Sequence, residues 1–381
     1  MELWRRSRWL VLTAVVILGG GIAMSLVGED DVPADPLAVA PADARVVARV
    51  DVDALLDSAI WRLAMDQEEA TGARRIERVC GYDPLALVDD VVIFASGPDE
   101  DPFEYAGFVA RGEVARGRSR REQLVRCVEA VLNERGGGVE PVEIEGETAI
   151  ASAHGESHAA FLGADGVVGG DRESVSQAIR VHRGAASSAR ATGTLGALWA
   201  EVAAGRDVVL AGELPERWLP TLRRAARGAE GDLAVLATVR ALAIGVGVRD
   251  GLTLSAALRT ATAADAERLR DAIQARIDGA LETPGAGFTV VGRVLRAIRM
   301  SVRGAELRLV AQASTDQLEG MLEMWRELRS SASEAEAPSD SAPEPEPEPD
   351  SAPEPATESE PEPEAEAEAE PATESSSDSE S

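Results

Sequence analysis

The sequence predicts an α+β protein with two similar tandem domains and largely antiparallel sheets, preceded by one transmembrane helix and followed by a disordered tail. Three observations predict this organisation. An uncharged apolar run of 20 residues lies near the N-terminus, the middle of the chain alternates strand-like and helical patterns twice, and the C-terminal end is acidic and rich in proline.

The apolar run, residues 9–28, is long enough as a helix to cross about 30 Å of hydrocarbon. Arginines precede the run and acidic residues follow it: Arg5, Arg6, Arg8, Glu29, Asp30 and Asp31. The positive-inside bias therefore leaves a cytoplasmic stub, residues 1–8, and places the rest of the chain in a periplasmic or extracellular space. We expect a single-pass signal anchor in an inner or cytoplasmic membrane. A cleaved signal peptide is the alternative, with Ala23 and Ser25 as a weak cleavage signal.

The folded region divides into two parts of similar element order. Residues 29–43 are rich in Pro, Ala and Asp and are typical of a linker. The first domain is predicted over 44–190 and the second, a possible repeat, over 191–330. Each shows a strand, a helix, two strands, a helix, a hairpin and a helix. Turns at Gly146 and Gly304 are 158 residues apart and suggest duplication of a whole domain.

Three segments resemble uncharacterised membrane-anchored envelope proteins of high-GC bacteria that have a duplicated α+β region. They are Val46–Asp51, Cys80–Leu85 and Asp165–Gly170. The resemblance covers roughly residues 40 to 330 and implies an envelope location. It carries over no active-site residue.

Composition excludes several classes of function. The chain has no lysine, so all 38 basic residues are arginine, which excludes a Walker-type phosphate loop, a Schiff-base lysine and a Ser-x-x-Lys nucleophile. The net charge is −29, and removing the −18 of residues 331–381 still leaves −11. Nucleic-acid binding is therefore not expected, because it depends on clustered cations. No cofactor is predicted.

A candidate metal site lies at His154, Glu156 and His158. In an extended strand these alternate residues share one face, and two imidazoles with a carboxylate can bind zinc. The spacing differs from the helical His-Glu-x-x-His arrangement, and a loop that joins two strands often carries such residues by chance. His182, on the edge of a helical stripe, is expected to be a packed residue rather than a catalytic one.

Cys80 and Cys127 are the two cysteines of the chain. An oxidising compartment favours a disulfide between them, which would stabilise the fold by about 4 kcal/mol on the loop-entropy model. The alternative is two separate buried thiols, since Cys127 lies on an apolar helical stripe.

The tail, residues 331–381, has 18 acidic residues, ten prolines and no basic residue. Such a segment cannot bury enough apolar surface to become ordered, so we expect an extended, self-repelling chain. A solubilising spacer is the simplest interpretation. A basic or cationic partner is the alternative.

The sequence assigns no catalytic residue and identifies no ligand. A membrane-anchored extracytoplasmic protein for binding, scaffolding or envelope maintenance is the favoured hypothesis. One alternative is an envelope hydrolase that uses carboxylates or a bound metal. Another is a carrier that holds an apolar ligand between its two domains.

Overall fold

The computed structural model describes residues 31–59, 61, 71–98, 101, 103–134, 137–153, 155–191, 193–215, 233–249, 251–282 and 289–320. The predicted transmembrane segment and the predicted acidic tail lie outside these ranges and stay predictions. Within the described ranges, no helix is both long and apolar enough to cross a membrane.

Twelve strands dominate the fold of the described residues. They are β1 Val46–Asp51, β2 Asp90–Ser96, β3 Tyr105–Arg111, β4 Val139–Ile144, β5 Glu147–Ser152, β6 His158–Leu162, β7 Gly166–Gly170, β8 Val208–Glu213, β9 Val239–Gly247, β10 Leu252–Thr260, β11 Arg299–Arg303 and β12 Glu306–Ala313. They form one sheet in the order β11-β12-β10-β9-β8-β1-β2-β3-β7-β6-β5-β4. Each neighbouring pair is antiparallel. The prediction of an α+β protein with a largely antiparallel sheet is confirmed.

Eight helices connect and cover the strands of the described ranges. They are α1 Pro36–Val39, α2 Val52–Asp57, α3 Thr71–Cys80, α4 Arg118–Asn133, α5 Arg172–His182, α6 Gly193–Val202, α7 Ala263–Glu282 and α8 Val290–Ala297. Residues 315–320 are also helical. Asp171 accepts a hydrogen bond from the Ser174 N–H at 2.9 Å and begins α5 as its N-cap.

The two predicted domains meet in a continuous sheet. β1 pairs with β8 along Val46–Val50, so the strands of residues 44–190 and 191–330 share one hydrogen-bonded ladder. From this junction outward, β1-β2-β3-β7 on one side matches β8-β9-β10-β12 on the other. By this order, the Gly304 hairpin β11-β12 corresponds to β6-β7 and not to the Gly146 hairpin, which is an additional pair at the edge.

Helices cover both faces of the sheet because side chains alternate along each strand. On β2, Val92 and Phe94 belong to the main core, which also contains α1, α5 and α6. The neighbouring Val91 points to the opposite face and packs with α2 and α4 in a second cluster. Leu269 of α7 packs against β12 in a third cluster.

The folded region begins within the segment that the sequence predicts to be a linker. Val32, Leu37 and Val39 are buried in the main core, although they lie within residues 29–43. A Cβ atom at Gly166 would collide with Val32 Cγ2, so the glycine makes room for this segment. Pro36 begins α1 and Asp35 caps it, which explains why a stretch of linker-like composition is ordered.

Candidate functional site

Of the three predicted metal ligands, only Glu156 and His158 lie within the described ranges. His154 lies outside the described ranges, Glu156 is exposed, and His158 on β6 is only 7% exposed. Among the described residues, no group of three His, Cys, Asp or Glu side chains is placed to hold a metal ion. Zinc binding at this segment therefore stays a prediction, and the different burial of Glu156 and His158 disfavours it.

His158 behaves as a packed neutral residue. Burial lowers the pKa of its imidazole, the charge of Arg172 lowers it further, and Asp171 partly opposes both effects. Its Nδ1 atom is buried and has no hydrogen-bond partner among the described groups. A charged imidazole would be costly here, so His158 is a poor candidate for proton transfer.

Carboxylates at the ends of β1, β2 and β8 form ion pairs with arginines. Asp90, 4% exposed, accepts two hydrogen bonds from Arg111, one of them from Nε at 2.7 Å. Arg111 also donates to the Pro33 carbonyl at 2.6 Å and so fixes the N-terminal segment to the sheet. Arg49 Nε lies 3.5 Å from an Asp90 oxygen. We call this group and its continuation at Asp207 the strand-end ion network.

The network continues across the junction between the two halves. Asp207 accepts hydrogen bonds from Arg249 Nε and from the Val248 N–H, both at 2.8 Å. Arg249 also donates to Asp51 at 3.2 Å. Burial raises the pKa of Asp207, but the hydrogen bonds from Arg249 and Val248 outweigh it and hold that pKa below its usual value. Asp207 is therefore ionised at neutral pH and paired with Arg249, an arrangement that does not resemble a general acid or base.

Helices α3 and α4 form a disulfide-linked antiparallel pair on the edge of the first half. Cys80 and Cys127 are joined in a disulfide with their Cα atoms 4.6 Å apart. One and a half turns away, Arg75 on α3 lies 2.8 Å from Glu134, just beyond the end of α4. The disulfide and the ion pair thus tie the two helices together at two points.

An arginine-lined cavity of about 540 Å³ opens beside this disulfide. Its lining consists of Arg74, Arg75, Arg78 and Val79 of α3 and of Glu134 after α4. All three arginines are exposed, and Arg75 donates from Nε to Glu134 at 2.9 Å. The described lining thus consists of three arginines, one carboxylate and a small apolar wall at Val79.

Positive charge continues from the cavity along α4. Tyr82, which follows α3, is half-buried, and burial raises the pKa of its hydroxyl. The charges of Arg120 and Arg126 partly lower that pKa, so both guanidinium groups lie close to the phenol. Arg121 has a structural role instead, since it stacks 4.8 Å above the Phe161 ring and donates to the Gly163 carbonyl.

This cavity was not predicted from the sequence. A signal was present, because Arg74 and Arg78 are four residues apart and so lie on one helical face. Their significance depends on α4, which supplies the opposite wall from a position about 55 residues later in the chain.

The junction between the two predicted domains is filled rather than grooved. In the described residues, Val47 of β1 and Val209 and Ala211 of β8 lie in the same core as Trp199 of α6. A ligand held between two separate domains gains no support from this packing.

Two solved structures are similar to this chain. One, described as crystal form III of TP0453, aligns with a TM-score of 0.44 and 14% identity, covering 76% of this chain and 99% of that one. The other, crystal form I of TP0453, has a TM-score of 0.37 and 13% identity, covering 76% and 98%. No family model and no curated protein matches. These similarities assign the chain to no family.

Proposed function

We propose that this chain is a membrane-anchored extracytoplasmic protein that acts in binding or scaffolding at the cell envelope and not in catalysis. The anchor is residues 9–28, with residues 1–8 in the cytoplasm and the folded region periplasmic or extracellular. The two halves of the sheet are duplicated units, an idea supported by the matching strand order on the two sides of the β1-β8 junction.

The disulfide between Cys80 and Cys127 is the main observation that supports an extracytoplasmic location. Disulfides persist in exported proteins and are rare in the reducing cytosol. The pair joins two helices at positions 47 residues apart, so it constrains a long loop and not a local turn. The charge difference across residues 9–28 supports the same orientation independently.

The absence of a catalytic role is proposed from the state of the buried carboxylates. Asp90 and Asp207 are each paired with an arginine in the strand-end ion network. An acid and base pair needs groups whose pKa values are shifted apart and left accessible to substrate, which is the opposite arrangement. The alternative hydrolase therefore gains no support from these groups.

The location is tested with the full-length chain in a bacterial host. A reporter that is active only outside the cytoplasm, fused after Ser381, is expected to be active, and the same reporter fused after Arg8 is expected to be inactive. A membrane-impermeant maleimide should label no thiol before reduction and two thiols after reduction and unfolding. A reporter active only in the cytoplasm, or two free thiols without reduction, would overturn the proposal.

A further inference from the structure

We propose that β11, Arg299–Arg303, binds an extended acidic segment of another protein as an additional antiparallel strand. Among the described strands, β11 is the last of the sheet and has β12 as its one neighbour. We call its outward backbone groups and its two exposed arginines the β11 edge. This inference goes beyond the proposed function, because strand addition here depends on neither the membrane anchor nor the compartment.

The backbone of β11 directs hydrogen-bonding groups away from the sheet. The Thr260 N–H donates to the Ala305 carbonyl at 2.8 Å, so these residues form a hydrogen-bonded pair that continues the β10-β12 register. Because such pairs alternate along antiparallel strands, β12 bonds to β10 through its odd-numbered residues and to β11 through its even-numbered ones. The N–H and C=O groups of Met300 and Val302 therefore point outward. They offer two donors and two acceptors to an incoming strand.

The opposite edge of the sheet, β4, is blocked in this respect. The Ala153 N–H donates to the Gly138 carbonyl at 2.8 Å. By the same alternation, Pro141 and Glu143 of β4 turn their backbone groups outward. Pro141 has no N–H to donate, and the Glu143 carbonyl already accepts a hydrogen bond from Arg172 at 3.3 Å. Proline at an edge protects a sheet against strand addition, and β11 has none.

The two faces of β11 specify the partner segment. Met300 and Val302 are half-buried and pack with the third cluster. Arg299, Ser301 and Arg303 are exposed on the opposite face. In an added strand, the residues opposite both arginines belong to non-hydrogen-bonded pairs, whose side chains approach most closely. The segment that fits therefore has two acidic residues four positions apart, and apolar residues at the alternate positions that cover Met300 and Val302.

The charge of the β11 edge is the next argument. Among the described residues, Arg299 and Arg303 form no ion pair. Glu306 lies opposite Arg303 on β12, but its carboxylate pairs with Arg308 at 2.7 Å and lies 3.9 Å from Arg259. This edge is therefore locally positive, although the whole chain carries −29. Charge complementarity favours an acidic partner.

A second copy of the chain is a poorer fit for the same edge. Antiparallel pairing of two β11 strands about Ser301 places Arg299 of each copy opposite Arg303 of the other. Like charges directly opposite one another destabilise a sheet. The charges that favour an acidic partner therefore disfavour self-association through β11.

Binding is tested with the full-length protein in a neutral detergent by fluorescence anisotropy of a labelled peptide. The probe is acetyl-Thr-Glu-Val-Thr-Val-Glu-Thr-amide, which aligns its two glutamates with the two arginines. A second probe has lysine in place of both glutamates. A third has N-methyl groups on both valines and so lacks the donors that face Met300 and Val302. The first probe should bind at least about tenfold more tightly than the other two, and less tightly as salt increases.

The double variant Arg299→Glu/Arg303→Glu reverses both charges. It should bind the glutamate probe about tenfold more weakly and should prefer the lysine probe, since each cross-strand charge pair changes sign. Arg180→Glu/Arg276→Glu is the matched control, because both arginines are exposed on helices, α5 and α7, and the net charge changes equally. It should change the affinity less than about twofold. Thermal unfolding within about 4 °C of the wild type shows that each variant folds.

Hydrogen exchange measured by mass spectrometry locates the bound strand. The amides of Met300 and Val302 should exchange more slowly in the presence of the glutamate probe, because the peptide carbonyls accept hydrogen bonds from them. Residues 139–144 of β4 should exchange at an unchanged rate.

Each outcome supports or overturns the proposal. Binding of the glutamate probe by the wild type, with the preference reversed in the double variant, supports it. No binding by the wild type, equal binding by the double variant, equal binding of the N-methylated probe, or equal loss in the control variant overturns it. Self-association of the wild type that the double variant abolishes, measured by sedimentation velocity, would assign the edge to a second copy and also overturns it. The reporter fusions test the membrane orientation separately, so the two failures are distinguishable.

Discussion

Two clusters of arginines in this molecule serve different purposes. In the strand-end ion network, Arg111 is buried and its guanidinium donates to Asp90 and to two backbone carbonyls. In the arginine-lined cavity, three arginines are exposed, and Arg75 pairs with Glu134, the carboxylate among the lining residues. The same residue type is thus buried among internal acceptors in one place and exposed at the surface in the other.

This difference distinguishes arginines that hold the fold together from arginines that lie at the surface. A buried guanidinium must find acceptors within the fold, because an unpaired buried charge is costly. An exposed cluster has no such requirement, because water solvates its charges, so its substitution should cost little stability. Substitutions in the two clusters should therefore affect different measurements.

The largest effect is expected when the strand-end ion network is broken. Arg111→Met leaves Asp90 buried without its partner and should lower the free energy of unfolding by about 3 to 5 kcal/mol. Arg78→Met in the cavity should change it by less than about 0.5 kcal/mol. Urea unfolding of both variants measures the contrast. Equal losses would mean that the cavity arginines also hold the fold together.

The next effect is expected from the disulfide. Cys80→Ser/Cys127→Ser should lower the free energy of unfolding by about 2 to 4 kcal/mol, because the unfolded chain gains conformational freedom. Dithiothreitol should destabilise the wild type by a similar amount and leave the double variant unchanged. A wild type that is insensitive to the reductant would contradict the disulfide.

An acid-dependent effect is expected at Asp207. The pKa of Asp207 is lower in the folded state than in the unfolded chain, where it is about 3.9. Its contribution is therefore present above about pH 3.9 and is lost as the pH falls through the folded value. Asp207→Asn should remove about 1 to 2 kcal/mol at pH 7 and flatten the acid limb of a stability profile. Asp271→Asn, on the exposed surface of α7, is the control and should leave the limb unchanged.

The smallest effect is expected at His158. The pKa of His158 is lower in the folded state, so the unfolded chain binds the proton first as the pH falls below about 6.5. Stability should decline from that pH towards the folded pKa, and His158→Phe should remove this decline while changing stability at pH 8 by less than about 1.5 kcal/mol. An unchanged pH profile in the variant would show that another group titrates.

Local patterns predicted much of the secondary structure. The sequence also predicts a strand pair at Val91–Ala95 and Tyr105–Ala110, which matches β2 and β3 to within about a residue at each end. The stripe from Leu124 to Val131 is the buried face of α4. These features depend on neighbours within a few residues, so a pattern in the sequence contains them.

Other features depended on distant partners. α8 was not predicted from the sequence, although Thr289 caps it. The pairing of β1 with β8 joins residues more than 150 positions apart, and no local pattern specifies such a register. For the same reason, the sequence predicts a linker at residues 32–40, although Val32 and Val39 are buried in the main core.

The sequence by itself determined the charge, the absence of lysine, the apolar run and the acidic tail, because these are sums over residues and need no partners. Only the tertiary structure decided which arginines are paired and which line a cavity. A guanidinium has the same charge everywhere, and its role depends on burial and on acceptors within about 3 Å. Those acceptors come from other parts of the chain, so the fold alone brings them into reach.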